Sequence, residues 1–144
     1  MDSVEFQRGS YAISTDPARI DVDTVYDYLH NTAYWCLGRS REVVERSIEH
    51  SLSFGIYEGT EQAGFARVVT DYATFAWLCD VFVLEPYRGQ GLGKWLIECV
   101  VAHPALQDLG IFVLATTDAH ELYRRYGSFE VLDRPAKWMR RVER

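Results

Sequence analysis

The sequence has no apolar run near the roughly 20 residues of a membrane-spanning helix. Its best candidate, residues 75–84, is broken by Asp80. Residues 1–6 (MDSVEF) lack the basic start and apolar core of a secretory signal. Cysteine is sparse: Cys36, Cys79 and Cys99 are odd in number, widely spaced and form no Cys-x-x-Cys. That excludes a zinc ribbon and a disulfide framework. The four histidines (His30, His50, His103, His120) show no ligand spacing, so no metal is expected. Positive charge is short as well. The formal net charge is −6, which argues against a nucleic-acid partner. These absences predict a soluble cytoplasmic protein with reduced thiols and no membrane association.

What remains is an ordinary globular composition. The chain has 144 residues, 48% of them hydrophobic, which fits a single domain over 1–144 with one substantial core. Its acid is uneven: residues 1–80 carry 13 acidic and 6 basic side chains, residues 81–144 carry 8 and 9. Such a division suits a cationic acceptor meeting an anionic cofactor, and equally suits plain surface solubility.

Residues 81–97 (VFVLEPYRGQGLGKWLI) organise the rest. An apolar, β-branched stretch ends at Pro86 and reads as a strand. Trp95, Leu96, Val100 and Val101 at helical spacing read as a helix. Gly89, Gly91 and Gly93 lie between them, bracketed by Arg88 and Lys94. A strand that turns through glycines into a helix brings unpaired N–H groups to an anion. The loop is not a P-loop, because Arg88 stands at the first glycine position and Trp95 at the Mg²⁺-binding hydroxyl. It is not a Rossmann fingerprint either, because Lys94 stands at the third glycine. Arg-x-x-Gly-x-Gly, with Arg88, Gly91 and Gly93, does fit.

Along the chain, residues 11–14 read as a first strand and 14–17 as a turn. Residues 21–30 form an amphipathic helix with Val22, Val25, Tyr26 and Leu29 on one face. Ser40 caps a second helix ending near Glu49. Strands follow over 53–58, 63–70 and 74–84. The glycine loop starts a helix over 92–102. A buried strand covers 111–116. Asp118 and Gly127 read as caps of a helix over 119–126, and 129–132 and 137–141 as final strand pieces. The order is β-α-α-β-β-β-α-β-α-β.

This loop, in this order of elements, resembles the Gcn5-related N-acetyltransferase (GNAT) superfamily. The resemblance implies an α/β (α+β) GNAT fold: a mixed, mostly antiparallel sheet of about 6–7 strands flanked by about four helices. It also implies acetyl-CoA as co-substrate. The backbone of Val81, Phe82 and Val83 is expected along the pantetheine arm, as an added strand would lie. The amides of Arg88, Gly89, Gln90, Gly91, Leu92, Gly93 and Lys94 are expected on the phosphates. Residues 119–127 (AHELYRRYG) are similar to the family's second signature, in which a tyrosine protonates the leaving thiolate. Tyr123 matches it, and a phenol with a pKa of about 10 can serve. The usual Gly-Phe that follows is here Gly127-Ser128-Phe129. Thr116 stands where many relatives carry a cofactor-binding Asn. His120 and Tyr126 lie within a turn of Tyr123.

Asp80 sits mid-strand. Its position resembles that of an acid holding the cationic acceptor in polyamine acetyltransferases. It also suits a proton acceptor for the amine, or a structural carboxylate bonded to backbone or Arg67. Trp77 occupies the place of a catalytic glutamate in some relatives and cannot act as a base. The acceptor pocket is expected from Tyr34, Trp35, Asp71 and Tyr72, aromatics beside an acid. The tail residues Arg134, Lys137, Arg140, Arg141 and Arg144 read as a solvated strand or as partners of the CoA 3′-phosphate. The reading is an N-acetyltransferase that acts on a primary amine of a small, cationic acceptor by direct attack in a ternary complex. A non-catalytic acyl-CoA-binding module and a protein N-acetyltransferase are the alternatives. Homodimerisation is left open.

Overall fold

The computed structural model describes residues 1–143. Six strands form one sheet in chain order: β1 (Glu5–Arg8), β2 (Tyr11–Ser14), β3 (Leu52–Glu58), β4 (Glu61–Thr70), β5 (Phe75–Val83) and β6 (Ile111–Leu114). The first five pair antiparallel and β6 joins β5 in parallel. The helices are α1 (Val22–Asn31), α2 (Arg41–Glu49), α3 (Leu92–Ala102) and α4 (His120–Gly127). The mixed α/β architecture is the one the sequence implies.

The centre of the sheet is buried on both faces, so β3 and β4 read as near-continuous apolar runs rather than alternating ones. On one face, Trp95, Leu96 and Val100 of α3 pack with Ile13, Phe54, Ile56 and Leu78. On the other, Val25 and Leu29 of α1 and Val44 of α2 pack with Phe65 and Phe82. The N-caps are local: the Asp21 carboxylate accepts from the Thr24 amide and the Ser40 hydroxyl from the Val43 amide.

Four sequence expectations need correction. The strand at 11–14 has a partner, β1, which the reading missed. β1 is short and mostly exposed, so it carries little apolar pattern. No strand forms over 129–132 or 137–141. Pro135 opens a 3-10 turn at Pro135–Lys137, and the flanking chain is exposed, with Met139 96% accessible. Asp118 does not cap α4; the Thr116 hydroxyl accepts from the Ala119 amide instead. Gly127 is the last helical residue and Ser128 takes the left-handed position (φ 59°). Gly127 is required for another reason. A Cβ there would stand 2.7 Å from the Phe129 ring and 3.0 Å from Ile97. Arg144 lies outside the described residues.

Candidate active site

The site begins at a break in the sheet. β5 pairs with β6 from Phe75↔Ile111 to Leu78↔Leu114 and no further. Beyond Leu78, β5 has no sheet neighbour on that side among the described residues. The break coincides with a β-bulge. Register passes from Phe65↔Phe82 to Arg67↔Cys79, so two residues of β5, Asp80 and Val81, stand opposite Ala66 alone. Asp80 takes φ 52°, a left-handed conformation that Asp tolerates better than most side chains. The bulge turns its carboxylate inward, leaving 4% of the residue accessible.

Both carboxylate oxygens of Asp80 are engaged. The Trp35 indole donates to Oδ1 at 2.9 Å. The Arg39 and Arg67 guanidiniums donate to Oδ2 at 2.8 and 2.9 Å. Arg67 also donates to the Ser51 hydroxyl at 2.9 Å. Burial raises the proton affinity of Asp80, but the Trp35 bond and the two guanidiniums outweigh it and hold the group below its ordinary value. An acid so placed is ionised, and each of its oxygens already accepts from the protein. With two guanidiniums beside it and 4% of the residue accessible, it is a poor anchor for an incoming cation.

A cavity of about 400 Å³ opens between the parted strands. Trp77, Cys79, Asp80 and Val81 line it from β5, Thr116 and Thr117 from the turn after β6, Tyr34, Trp35 and Arg39 from the segment between α1 and α2, and Tyr123 from α4. A second cavity of about 270 Å³ lies along the outer side of β6, with His120, Tyr123, Arg124 and Leu132 among its lining residues. Tyr123 borders both. Burial, and secondarily the neighbouring Tyr34 phenol, push its pKa up to about 12.

The glycine loop lies beside the break. Gly89 and Gly91 take φ 84° and 80°, and a Cβ at either would meet nothing within 4 Å. Gly91 occupies the N-cap of α3 and offers no capping side chain, so the first-turn amides are left without a side-chain acceptor. A Cβ on Gly93 would stand at an ordinary 3.7 Å from Val83, so space rather than backbone strain is at issue there. The Arg88 side chain points back: Nε donates to the Val83 carbonyl at 2.8 Å and Nη2 to the Tyr28 hydroxyl at 3.3 Å. It anchors the loop to the end of β5. Gln90 donates to the Tyr87 carbonyl at 3.0 Å. The Lys94 ammonium lies 5.5 Å from the Tyr126 ring centroid, which joins α3 to α4.

The structure brings together Tyr34, Trp35, Asp80, Val81, Thr116 and Tyr123, and does not bring Asp71 and Tyr72 to them. Asp71 caps its own hairpin, accepting from the Ala73, Thr74 and Phe75 amides at 2.9, 2.8 and 3.1 Å. The Thr74 hydroxyl and these amides hold its carboxyl far below the usual range. Tyr72 borders a separate hollow with Met1 and Ser51. Arg39 and Thr117 were missed. The readable signal for Arg39 was a buried acid that needed cations, with an arginine four residues after Trp35.

The residues 49–127 match the family model described as "Acetyltransferase (GNAT) domain". A Gibberella zeae protein provisionally named an acetyltransferase is 31% identical over 138 residues, covering 81% of this chain and 77% of that one. A crystal structure of a GNAT family protein from Xanthomonas campestris pv. campestris is 43% identical with a TM-score of 0.89, over 95% of this chain and 96% of that chain. A GNAT acetyltransferase from Elizabethkingia anophelis, solved with acetyl-CoA bound, shares the fold at 16% identity and a TM-score of 0.64, over 88% and 80%. The chain belongs to the GNAT acetyltransferase family.

Proposed function

We propose that this member of the GNAT family transfers acetyl from acetyl-CoA to the primary amine of a small molecule, by direct attack within a ternary complex. The observation that carries the reading is the parting of β5 from β6 after Leu78, with the Tyr123 side chain on the cavity so opened. When bound, acetyl-CoA supplies an activated acetyl group on a thiol that can leave. The residues present fit it. The amides of Leu92, Gly93 and Lys94 at the uncapped start of α3 suit a pyrophosphate, and the empty space beside Gly89 and Gly91 allows close approach. The unpaired side of β5 over Val81–Val83 suits an extended amide-bearing arm. A backbone N–H near Val83 would stabilise a developing oxyanion.

Tyr123 holds the proton. With its pKa near 12 it remains a neutral phenol across the physiological range and can donate where a thiolate departs. Direct attack is favoured over an acetylated enzyme by the state of the thiols. Cys79 lines the cavity, but burial pushes its pKa up to about 12, and burial raises Cys36 too. A thiol that stays protonated is a poor nucleophile. The cysteines are free among the described residues, which suits a reducing, cytoplasmic setting. A cationic acceptor loses support, because the carboxylate meant to hold it is committed to Arg39, Arg67 and Trp35.

A CoA-release assay over a panel of primary amines, paired with calorimetric titration of acetyl-CoA, tests the reading. Binding together with amine-dependent release supports it. Absence of acetyl-CoA binding overturns it, and so does covalently acetylated enzyme seen by mass spectrometry during turnover.

A further inference from the structure

The charge of the acceptor cavity points to its guest. Among its lining residues only Arg39 and Asp80 are charged, and Arg67 stands behind Asp80. Two guanidiniums share one carboxylate, so the cluster keeps one unit of positive charge. Its members are not equally accessible. The Asp80 side chain is 1% exposed and that of Arg67 10%, while that of Arg39 is 21% exposed. An incoming molecule therefore meets the Arg39 guanidinium and not the carboxylate. Only Nη1 of Arg39 is bonded in the recorded geometry, to Asp80, which leaves donors on Nη2 and Nε. The backbone that carries this side chain is held in place, and the Asp80 bond anchors the guanidinium. The Gly38 amide donates to the His30 carbonyl at 2.8 Å, and the His30 ring bonds the Arg39 carbonyl at 2.9 Å.

We infer that Arg39 determines specificity, and that the acceptor is a primary amine that also carries a carboxylate, an amino-acid-like molecule, docked with that carboxylate on the free donors of Arg39. The inference rests on the acetyltransferase reading above. A guanidinium fork matches a carboxylate bidentately, and the partly desolvated position strengthens the bond. The same residual charge disfavours a second ammonium, so polyamines are poor guests. It also lowers the proton affinity of the acceptor's own amine, and a neutral amine is the form that attacks. The exposed faces of Tyr34, Trp35 and Trp77 supply an apolar wall for the rest of the molecule.

The test pairs each amino acid with its decarboxylated and amidated forms, for example tyrosine, tyramine and tyrosinamide, or lysine, cadaverine and lysinamide. CoA release is measured for each. The expected result is a kcat/KM about tenfold or more higher for the carboxylate member of the preferred set. Arg39→Gln, which leaves the Arg67–Asp80 pair in place, should remove that preference through KM while thermal melting confirms the fold. A second readout needs no turnover: the N-acetylated carboxylate product should perturb the fluorescence of Trp35 and Trp77 in the wild type and much less in Arg39→Gln. Equal or better activity on the decarboxylated members overturns the inference and leaves the acetyltransferase reading standing. No release from any amine despite acetyl-CoA binding overturns that reading, and the inference with it.

Discussion

The indole nitrogen of Trp35 donates to Oδ1 of Asp80 at 2.9 Å across 45 residues of sequence. That bond ties the segment between α1 and α2 to the bulge in β5, and so fixes one wall of the cavity between β5 and β6 to the strand. Arg39 and Arg67 complete the tie on Oδ2.

Asp80→Asn should therefore act on the fold before it acts on the chemistry. It leaves two guanidiniums without their shared anion, and breaking a buried pair in this way costs about 3–5 kcal/mol. A melting temperature lower by roughly 10 °C is expected. The pH dependence has a definite sign. Because the folded pKa is depressed, the contribution is present above the unfolded value of about 3.9 and is lost as pH falls through the folded one. Denaturation midpoints in acid will show this. A neutral-pH limb of kcat that vanishes in Asp80→Asn, with the melting temperature unchanged, would instead make Asp80 a proton acceptor.

Tyr123→Phe should lower kcat by about 100-fold and leave acetyl-CoA affinity within about twofold. The phenol lines the cavity and keeps its proton to about pH 12, so it contributes no falling limb to the rate profile below pH 10. Steady-state kinetics and calorimetry on the one variant separate the two effects. Full activity in that variant removes Tyr123 from the chemistry.

Gly91→Ala and Gly93→Ala should part company. Gly91 has φ 80°, and forcing a side chain there costs about 1–2 kcal/mol of stability. Gly93 is helical with an ordinary φ, so alanine there should hold or raise stability, by up to about 1 kcal/mol. Both should weaken acetyl-CoA binding, since either Cβ enters the space beside the α3 amides. A Gly93→Ala variant that binds acetyl-CoA as tightly as the wild type would place the phosphates elsewhere.

How legible the site was follows from how local its determinants are. The glycine loop, the cap at Ser40, and the Tyr123 helix are each specified within about ten residues of chain, and the sequence displays them. Arg39 pairs with a residue 41 positions away through a bulge that puts an extra residue in β5. No periodicity announces such a bulge. Asp71 misled for the opposite reason: an acid beside an aromatic looks like a cation site, but here it closes its own turn. The terminal strand pieces failed because Pro135 opens a 3-10 turn between them and the largely exposed chain on either side joins no strand.

His103 sets a further pH limit on stability. It is 1% exposed, lies edge-on to Phe54 at 5.6 Å between ring centroids, and its Nδ1 accepts from the Ala105 amide at 3.0 Å. Nε2 has no partner among the described residues. Burial lowers the proton affinity of the ring, and protonating Nδ1 would also break the cap. The unfolded chain therefore takes up this proton first. Stability is complete above the unfolded value of about 6.5 and declines as pH falls below it toward the depressed folded value. In His103→Asn the side-chain oxygen can still accept from Ala105, but nothing titrates there. The variant should be less stable at pH 8, because ring packing on Phe54 is lost, yet its denaturant midpoint should fall less between pH 8 and pH 5 than that of the wild type. Parallel pH profiles for the two proteins would mean that the fold accommodates the imidazolium, and the neutral buried ring would have to be abandoned.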